Sequence, residues 1–253
     1  MRTIIDNPFI VFLVLFVVQL CAAYLGDLLR RTLRPLDTDE REDFGTVLTA
    51  TLTLLGLIIG FSFSMAVSRY DQRKSYEAAE ANAIGTEFVR ADLLPAEDGT
   101  RVRELLNQYA NHRIAFYLGG GEASVEAKLQ SELWSAVAHV ARSQPTPIAA
   151  LTVSGMNDVL NSQGYTQAAW WNRIPVAAWG LMGLIAFFSN MLLGYRERRT
   201  SGLALLILPV IASIAFFLIA DIDSPRGGVI QVAPQNLISV SQFMKAQQQG
   251  LNP

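Results

Sequence analysis

Two clusters of charged residues stand out where apolar runs end. One is Arg69-Tyr70-Asp71-Gln72-Arg73, the other Asp221-Ile222-Asp223-Ser224-Pro225-Arg226-Gly227. Carboxylates and guanidiniums so placed form charge-assisted hydrogen bonds when they meet. Asp221 and Asp223 could also offer oxygens to a divalent cation, but two carboxylates are too few for a site by themselves. The expectation is therefore a polar network of Arg69, Asp71, Arg73, Asp221, Asp223 and Arg226. Its heart is Arg69 or Arg73 paired with Asp221 or Asp223.

No catalytic set accompanies these clusters. The sequence has no Ser/His/Asp arrangement, no HExxH, no phosphate loop followed by Lys-Ser/Thr and no dinucleotide fingerprint. Gly119-Gly120-Gly121 lies between polar helical stretches rather than after a strand, so it is a linker. His112 and His139 lack metal-ligand spacing. The single cysteine, Cys21, excludes an intramolecular disulfide and a Cys-rich metal site. A net charge of −2 gives no electrostatic footprint for nucleic acid. Neither an enzyme, a bound metal nor a cofactor is expected.

What positions the clusters is a set of apolar runs. Four of them are long enough to cross a bilayer, at about residues 8–28, 45–68, 174–194 and 202–221, which makes the lipid bilayer the first partner. The first is too long for a cleavable signal core and is followed by Arg30 and Arg31, so it is a retained anchor. The second turns polar at Arg69 with no helix breaker before Pro95. A helix from about Gly45 to Ala91 would be roughly 70 Å long against a hydrocarbon core of roughly 30 Å. Half of it or more must stand outside the lipid. Residues 69–173 form a helical soluble block: Leu105, Leu106, Tyr109, Ile114 and Tyr117 recur at helical spacing, then Leu129, Leu133, Val137 and Val140. Thr146-Pro147 starts a third soluble helix, with Leu151, Met156, Val159 and Leu160 as its apolar face. Trp170, Trp171 and Trp179 are expected at the membrane interface, and Pro209 should kink the last span. The residues after that span are a tail. The fold class is all-α, one membrane domain over 1–253, with the second span continuing as a long helix out of the membrane.

Two stripes on that long helix carry functional expectations. Thr53, Leu57 and Phe61 fall four residues apart, and Ser64 continues the face toward water. Such a stripe suits the wall of a pore with a hydrophobic neck. Farther out, Glu80, Asn82 and Thr86 alternate with Ala78, Ala79, Ala81, Ala83 and Gly85. Small residues let helices approach closely, so this stretch is expected to pack against a neighbouring helix or another subunit.

The run from Gly60 to Pro95, with Trp134, Met156-Asn157-Asp158, Gly194-Tyr195 and the DIDSPRGG motif of Asp221–Gly228, resembles the bestrophin-like domain of bacterial membrane proteins. That domain is in turn similar to the bestrophin anion channels, pentamers with four spans per subunit and a helical cytosolic block between the second and third. Gly60-Phe61 and Arg69-Tyr70 resemble the bestrophin pattern on the second span. Asp223-Ser224-Pro225-Arg226-Gly227 is similar to its acid-x-Pro-Phe-Gly step, with Arg in place of Phe. Thr53 departs from the bulky apolar neck, and the acidic calcium clasp of animal bestrophins is missing. The resemblance implies a homo-oligomeric ion channel, anion-permeable, in a bacterial inner membrane, with Thr53, Leu57, Phe61 and Ser64 lining the pore. It also implies cytoplasmic termini and soluble block. The loop charges lean the other way by one residue, seven Arg against six Arg or Lys. The alternative is a membrane-anchored sensor whose helical block recruits a partner and which has no pore.

Overall fold

The computed structural model describes residues 6–32, 37–196 and 202–250. Arg2, Arg34, Arg198 and Arg199, which count in the charge comparison, lie outside the described residues. The described residues are helical or irregular, with no strand among them. Four helical stretches are long and apolar enough to cross a bilayer: Pro8–Thr32, Asp39–Leu93, Pro147–Arg196 and Leu205–Asp223.

Each helix start has a local cause. α1, Pro8–Thr32, opens on a proline, and Asn7 Oδ1 accepts from the N–H groups of Phe9 and Ile10 at 3.1 and 3.4 Å. α2, Thr38–Arg90, runs 53 residues and begins well before Gly45. Glu40 reaches back over the first turn, where Asp37 N–H donates to its Oε2 at 3.0 Å, and Arg41 N–H makes the first helical bond to the Asp37 carbonyl. A short 3₁₀ turn, Ala91–Leu93, precedes Pro95, and α3 follows at Ala96–Tyr117. Gly119 and Gly121 take φ of 91° and 85° in the link to α4, Ala123–Ser143. Thr146 caps α5, Pro147–Trp171, by accepting from Ala149 N–H at 3.2 Å. α6 is Val176–Arg196, and α7, Gly202–Asp223, runs through Pro209.

The tail contains a further helix that the sequence does not announce, α8 at Gln235–Gln248. Polar residues outnumber apolar ones along it, so no apolar run marks it. Tertiary capping fixes its start: Glu77 accepts from Leu237 N–H at 2.9 Å and from Asn236 Nδ2 at 2.6 Å.

The chain divides into two compact units. The first comprises the residues up to Tyr70 and Arg173–Gln231, the second Asp71–Asn172 and the residues from Val232 on. In the first unit α1 and α6 approach closely at Gly26 and Gly194, where a Cβ would collide with the backbone of Met191 or Ala23. Leu55, Ala66, Trp179, Met182, Ala186, Phe216 and Ile219 make up its core. Trp179 is therefore packed in the core of this unit. Trp170 packs on Phe116 and Tyr117 within the second unit, with ring centroids 4.7 and 5.6 Å away. Trp171 alone of the three is exposed, at 75%. Gln19 donates to Ser213 at 3.1 Å and accepts from Asn190 at 3.1 Å, joining α7 and α6 through a buried polar chain.

The second unit packs α3, α4, α5 and α8 with the outer part of α2. Leu105, Leu106, Tyr109 and Tyr117 are buried, as are Leu129, Leu133, Val137 and Val140. On α5 Met156 and Val159 are buried, but Leu151 is exposed, so the apolar face there is narrower than its residues suggest.

Candidate functional site

The apolar part of α2 has two opposite faces. Leu48, Leu55, Ser62 and Ala66 are buried, one or two turns apart. On the other side Thr53, Leu57, Phe61 and Ser64 are all exposed in the single chain, Leu57 at 54% and Phe61 at 64%. Packing inside this chain therefore does not account for the stripe. It must face lipid, another subunit or a conduction path. Thr53 donates its hydroxyl to the Thr49 carbonyl, and Thr49 to that of Gly45, both at 2.8 Å; Thr46 donates to that of Glu42 at 3.1 Å. These threonines line an open groove of about 780 Å³ with Glu42, Leu57 and Arg196.

At the Asp223 end of α7 the expected network forms in part, with a different leading cation. Asp223 is buried, and Arg69 Nη1 lies 3.6 Å from its Oδ1. The closer cation is Arg173, whose Nε donates to Asp223 Oδ2 at 3.0 Å and whose Nη1 donates to Asp6 at 2.7 Å. Ile174 N–H also donates to Asp223, at 3.2 Å. Asp221 instead holds a turn, accepting from Val229 N–H at 2.6 Å and Ile230 N–H at 3.0 Å. A Cβ at Gly228 would strike the Asp221 carboxylate, which explains the glycine of the motif. Asp71 and Arg226 are exposed, and Arg73 is buried in the second unit. Among the described residues no three His, Cys, Asp or Glu side chains are arranged to hold a metal.

In the second unit Glu80 is fully buried against Arg113. Arg113 Nε donates to Glu80 Oε1 and its Nη2 to Oε2 at 3.3 Å, its Nη1 to Glu126 at 2.7 Å, and Thr166 donates to Glu80 at 3.0 Å. The guanidinium also sits 4.4 Å from the Phe116 ring centroid. Burial pushes the Glu80 carboxyl above its usual range, against the pull of Arg113 and Thr166. Arg113 stays charged: burial opposes this, and Glu80 outweighs it. Asn82 and Thr86 are exposed, on the other side of α2 from Glu80.

Several polar residues of these clusters do not stand out in the sequence: Arg113, Glu126, Glu77, Glu87, Arg173, Gln19 and Asn190. Arg113 does carry a signal, standing four residues from both Tyr109 and Tyr117 on an otherwise apolar face. Gln19 and Asn190 are likewise each the one amide in an uncharged apolar run, residues 8–25 and 175–194. The others become visible only through tertiary structure.

The family model of the bestrophin-like domain matches residues 11–237. The chain belongs to that family. No curated protein matches it. Among solved structures, a bacterial bestrophin homologue from Klebsiella pneumoniae superposes with a TM-score of 0.66 at 12% identity, covering 97% of this chain and 99% of that one. A point variant of the same homologue gives 0.65 at 11%, covering 94% and 99%. A crystal structure described as a membrane protein with one substitution gives 0.66 at 11%, covering 95% and 99%. At these identities the likeness establishes the bestrophin fold. Within this bestrophin-like chain the DIDSPRGG motif supplies the Asp223 ion pairs and the Asp221-held turn, and Glu80 of EANAIGT supplies the buried pair with Arg113.

Proposed function

We propose that this membrane protein is a homo-oligomeric ion channel whose conduction path is lined by the exposed face of α2. The observation that carries the reading is the opposition on that helix: Leu48, Leu55, Ser62 and Ala66 are buried within the chain, while Thr53, Leu57, Phe61 and Ser64 are left uncovered. Several copies arranged around an axis would turn this stripe into a wall, with Leu57 and Phe61 as a dry neck that gates by wetting. Both termini and the second unit are assigned to the cytoplasm on the family resemblance. A reporter fused after Pro253 that is active only outside the cytoplasm would reverse that assignment.

For the permeant ion the family resemblance implies anions. One feature of the wall favours cations instead. The hydroxyl hydrogens of Thr46, Thr49 and Thr53 are committed to carbonyls of their own helix, so these hydroxyls present lone pairs outward. Glu42 and Arg196 in the same groove offset each other. The purified protein in planar bilayers under a salt gradient tests both levels. A reversal potential toward the chloride equilibrium value supports anions, and one toward the cation value supports the hydroxyl wall. A closed ring by native mass spectrometry with no conductance at any salt, pH or voltage refutes the channel. A monomer or dimer favours a membrane-anchored interaction protein.

A further inference from the structure

Glu87 is a carboxylate sealed from water. The residue is fully buried, and neither carboxylate oxygen has a hydrogen-bond partner. It presses on α5 where Gly155 leaves room: a Cβ there would collide with Glu87 Oε2 and with Arg90 Nη1. The Arg90 guanidinium, one turn along α2, stops 3.8 Å short of Oε2. From α5, Asp158 adds a like charge. The neighbouring α8 meets this stretch of α2 through Val240 at Gly85 and Phe243 at Phe88, neither of which titrates. The other buried carboxylates among the described residues of this unit each have a donor: Arg113 serves Glu80 and Glu126, and Leu237 and Asn236 serve Glu77.

A charge in this seat is costly. Burial dominates, Arg90 pulls back, Asp158 pushes further, and the Glu87 carboxyl is moved up to about 8. The folded state therefore holds a proton that the unfolded chain releases near 4.5. The contact's full contribution is present below that value and is lost as pH rises through about 8.

We propose that Glu87 is a proton-controlled clasp between α2 and α5. Protonated, its neutral carboxyl fills the seat under Gly155. Deprotonated, it draws Arg90 and water inward, and α5 loosens from α2 around Gly155. Because α2 also carries the exposed Thr53–Ser64 stripe, the clasp would make the pore helix sensitive to pH; that consequence rests on the channel reading, whereas the clasp itself does not.

The test is amide hydrogen exchange of the full-length protein in lipid nanodiscs, read over the α5 residues around Gly155 and normalised for the intrinsic pH dependence of exchange. Between its open-state and closed-state values a single titrating group shifts an opening equilibrium by up to about tenfold per pH unit, and above both it shifts nothing further. Between about pH 6 and about pH 8 the wild-type chain should lose tenfold to roughly a hundredfold protection there, levelling off by about pH 9. Glu87→Gln keeps the shape without the titration and should stay protected at both ends. Asp158→Asn should move the wild-type midpoint to lower pH, and this arm serves if the Gln variant does not assemble. Wild-type protection independent of pH, a full wild-type response in Glu87→Gln, or an unmoved midpoint in Asp158→Asn would each overturn the clasp. Absence of ion flux in liposomes would sink the channel reading and leave this readout intact.

Discussion

Arg113 and Glu80, 33 residues apart in the chain, meet inside the second unit with neither side chain exposed to water. Glu126 and Thr166 complete the shell, so four helices converge on one guanidinium–carboxylate pair. Truncating one partner of such a pair leaves the other charged and dry. Arg113→Met should therefore destabilise the chain by about 3–5 kcal/mol in denaturant unfolding under mild detergent. Glu80→Gln keeps the shape and some hydrogen bonds while Glu126 still balances Arg113, so it should cost only about 1–3 kcal/mol. Equal losses for the two would mean that packing, not charge, is what the pair supplies.

A second prediction concerns Asp223. With Arg69 at 3.6 Å and Arg173 at 3.0 Å, this carboxylate answers to two cations and to Ile174 N–H. Asp223→Ala should cost more than Arg69→Ala, because Arg173 would lose its Nε acceptor while Arg69 holds only the longer contact. The first loss is expected at roughly 3 kcal/mol, less where water reaches Arg173, and the second at about 1 kcal/mol or below. Swapping Arg69 and Asp223 in sign should not rescue, since an arginine at 223 would face Arg173. Full rescue by that swap would show that Arg173 contributes nothing.

These two sites show where the sequence is legible. The four spans, the unbroken α2 and the cap at Thr146 follow from run length, the absence of proline and one hydroxyl before Pro147. Each is a local property. The meeting of Arg69 with Asp223 is also accessible, because two helices that leave the membrane on one face bring their charged ends together. Arg173 is not, since only the fold tells which of several arginines arrives first. Asp71 and Arg73 lie close to Arg69 along the chain, yet one residue on a helix turns a side chain by about 100°. Composition likewise does not tell that Trp179 packs into the core while Trp171 stays exposed. α8 is hidden because its cap comes from Glu77, far away in sequence.

Inside the first unit, Gln19 bridges Asn190 and Ser213 in a setting where no water competes. Interhelical hydrogen bonds in bilayers are worth about 0.6 kcal/mol on average and up to roughly 1.7. Gln19→Leu should destabilise at the upper end of that range, because it leaves the Asn190 amide with only the Ala186 carbonyl as acceptor. Asn190→Leu should cost about the same. If the two act through one chain, the double substitution should cost clearly less than the sum. Additive losses in a steric-trapping or detergent-unfolding assay would show that the two residues stabilise the bundle separately.

The sharpest test of the pore wall is at Leu57 and Phe61. Both are more than half exposed in the single chain, so truncating them opens no cavity in its core. Leu57→Ala and Phe61→Ala should therefore avoid the roughly 2–5 kcal/mol typical of core truncations and leave each chain's unfolding nearly unchanged. If the stripe lines a conduction path, the same changes widen a dry neck and let water bridge it, and ion flux in liposomes should rise several-fold. Phe61→Trp should do the reverse and lower it. If the stripe packs against a neighbouring subunit instead, the oligomer should weaken in native mass spectrometry before any change in flux appears. If it faces lipid, neither flux nor assembly should move. The three surfaces give three different pairs of outcomes, and an intact oligomer with raised flux in both alanine variants is the pair that only a pore wall produces.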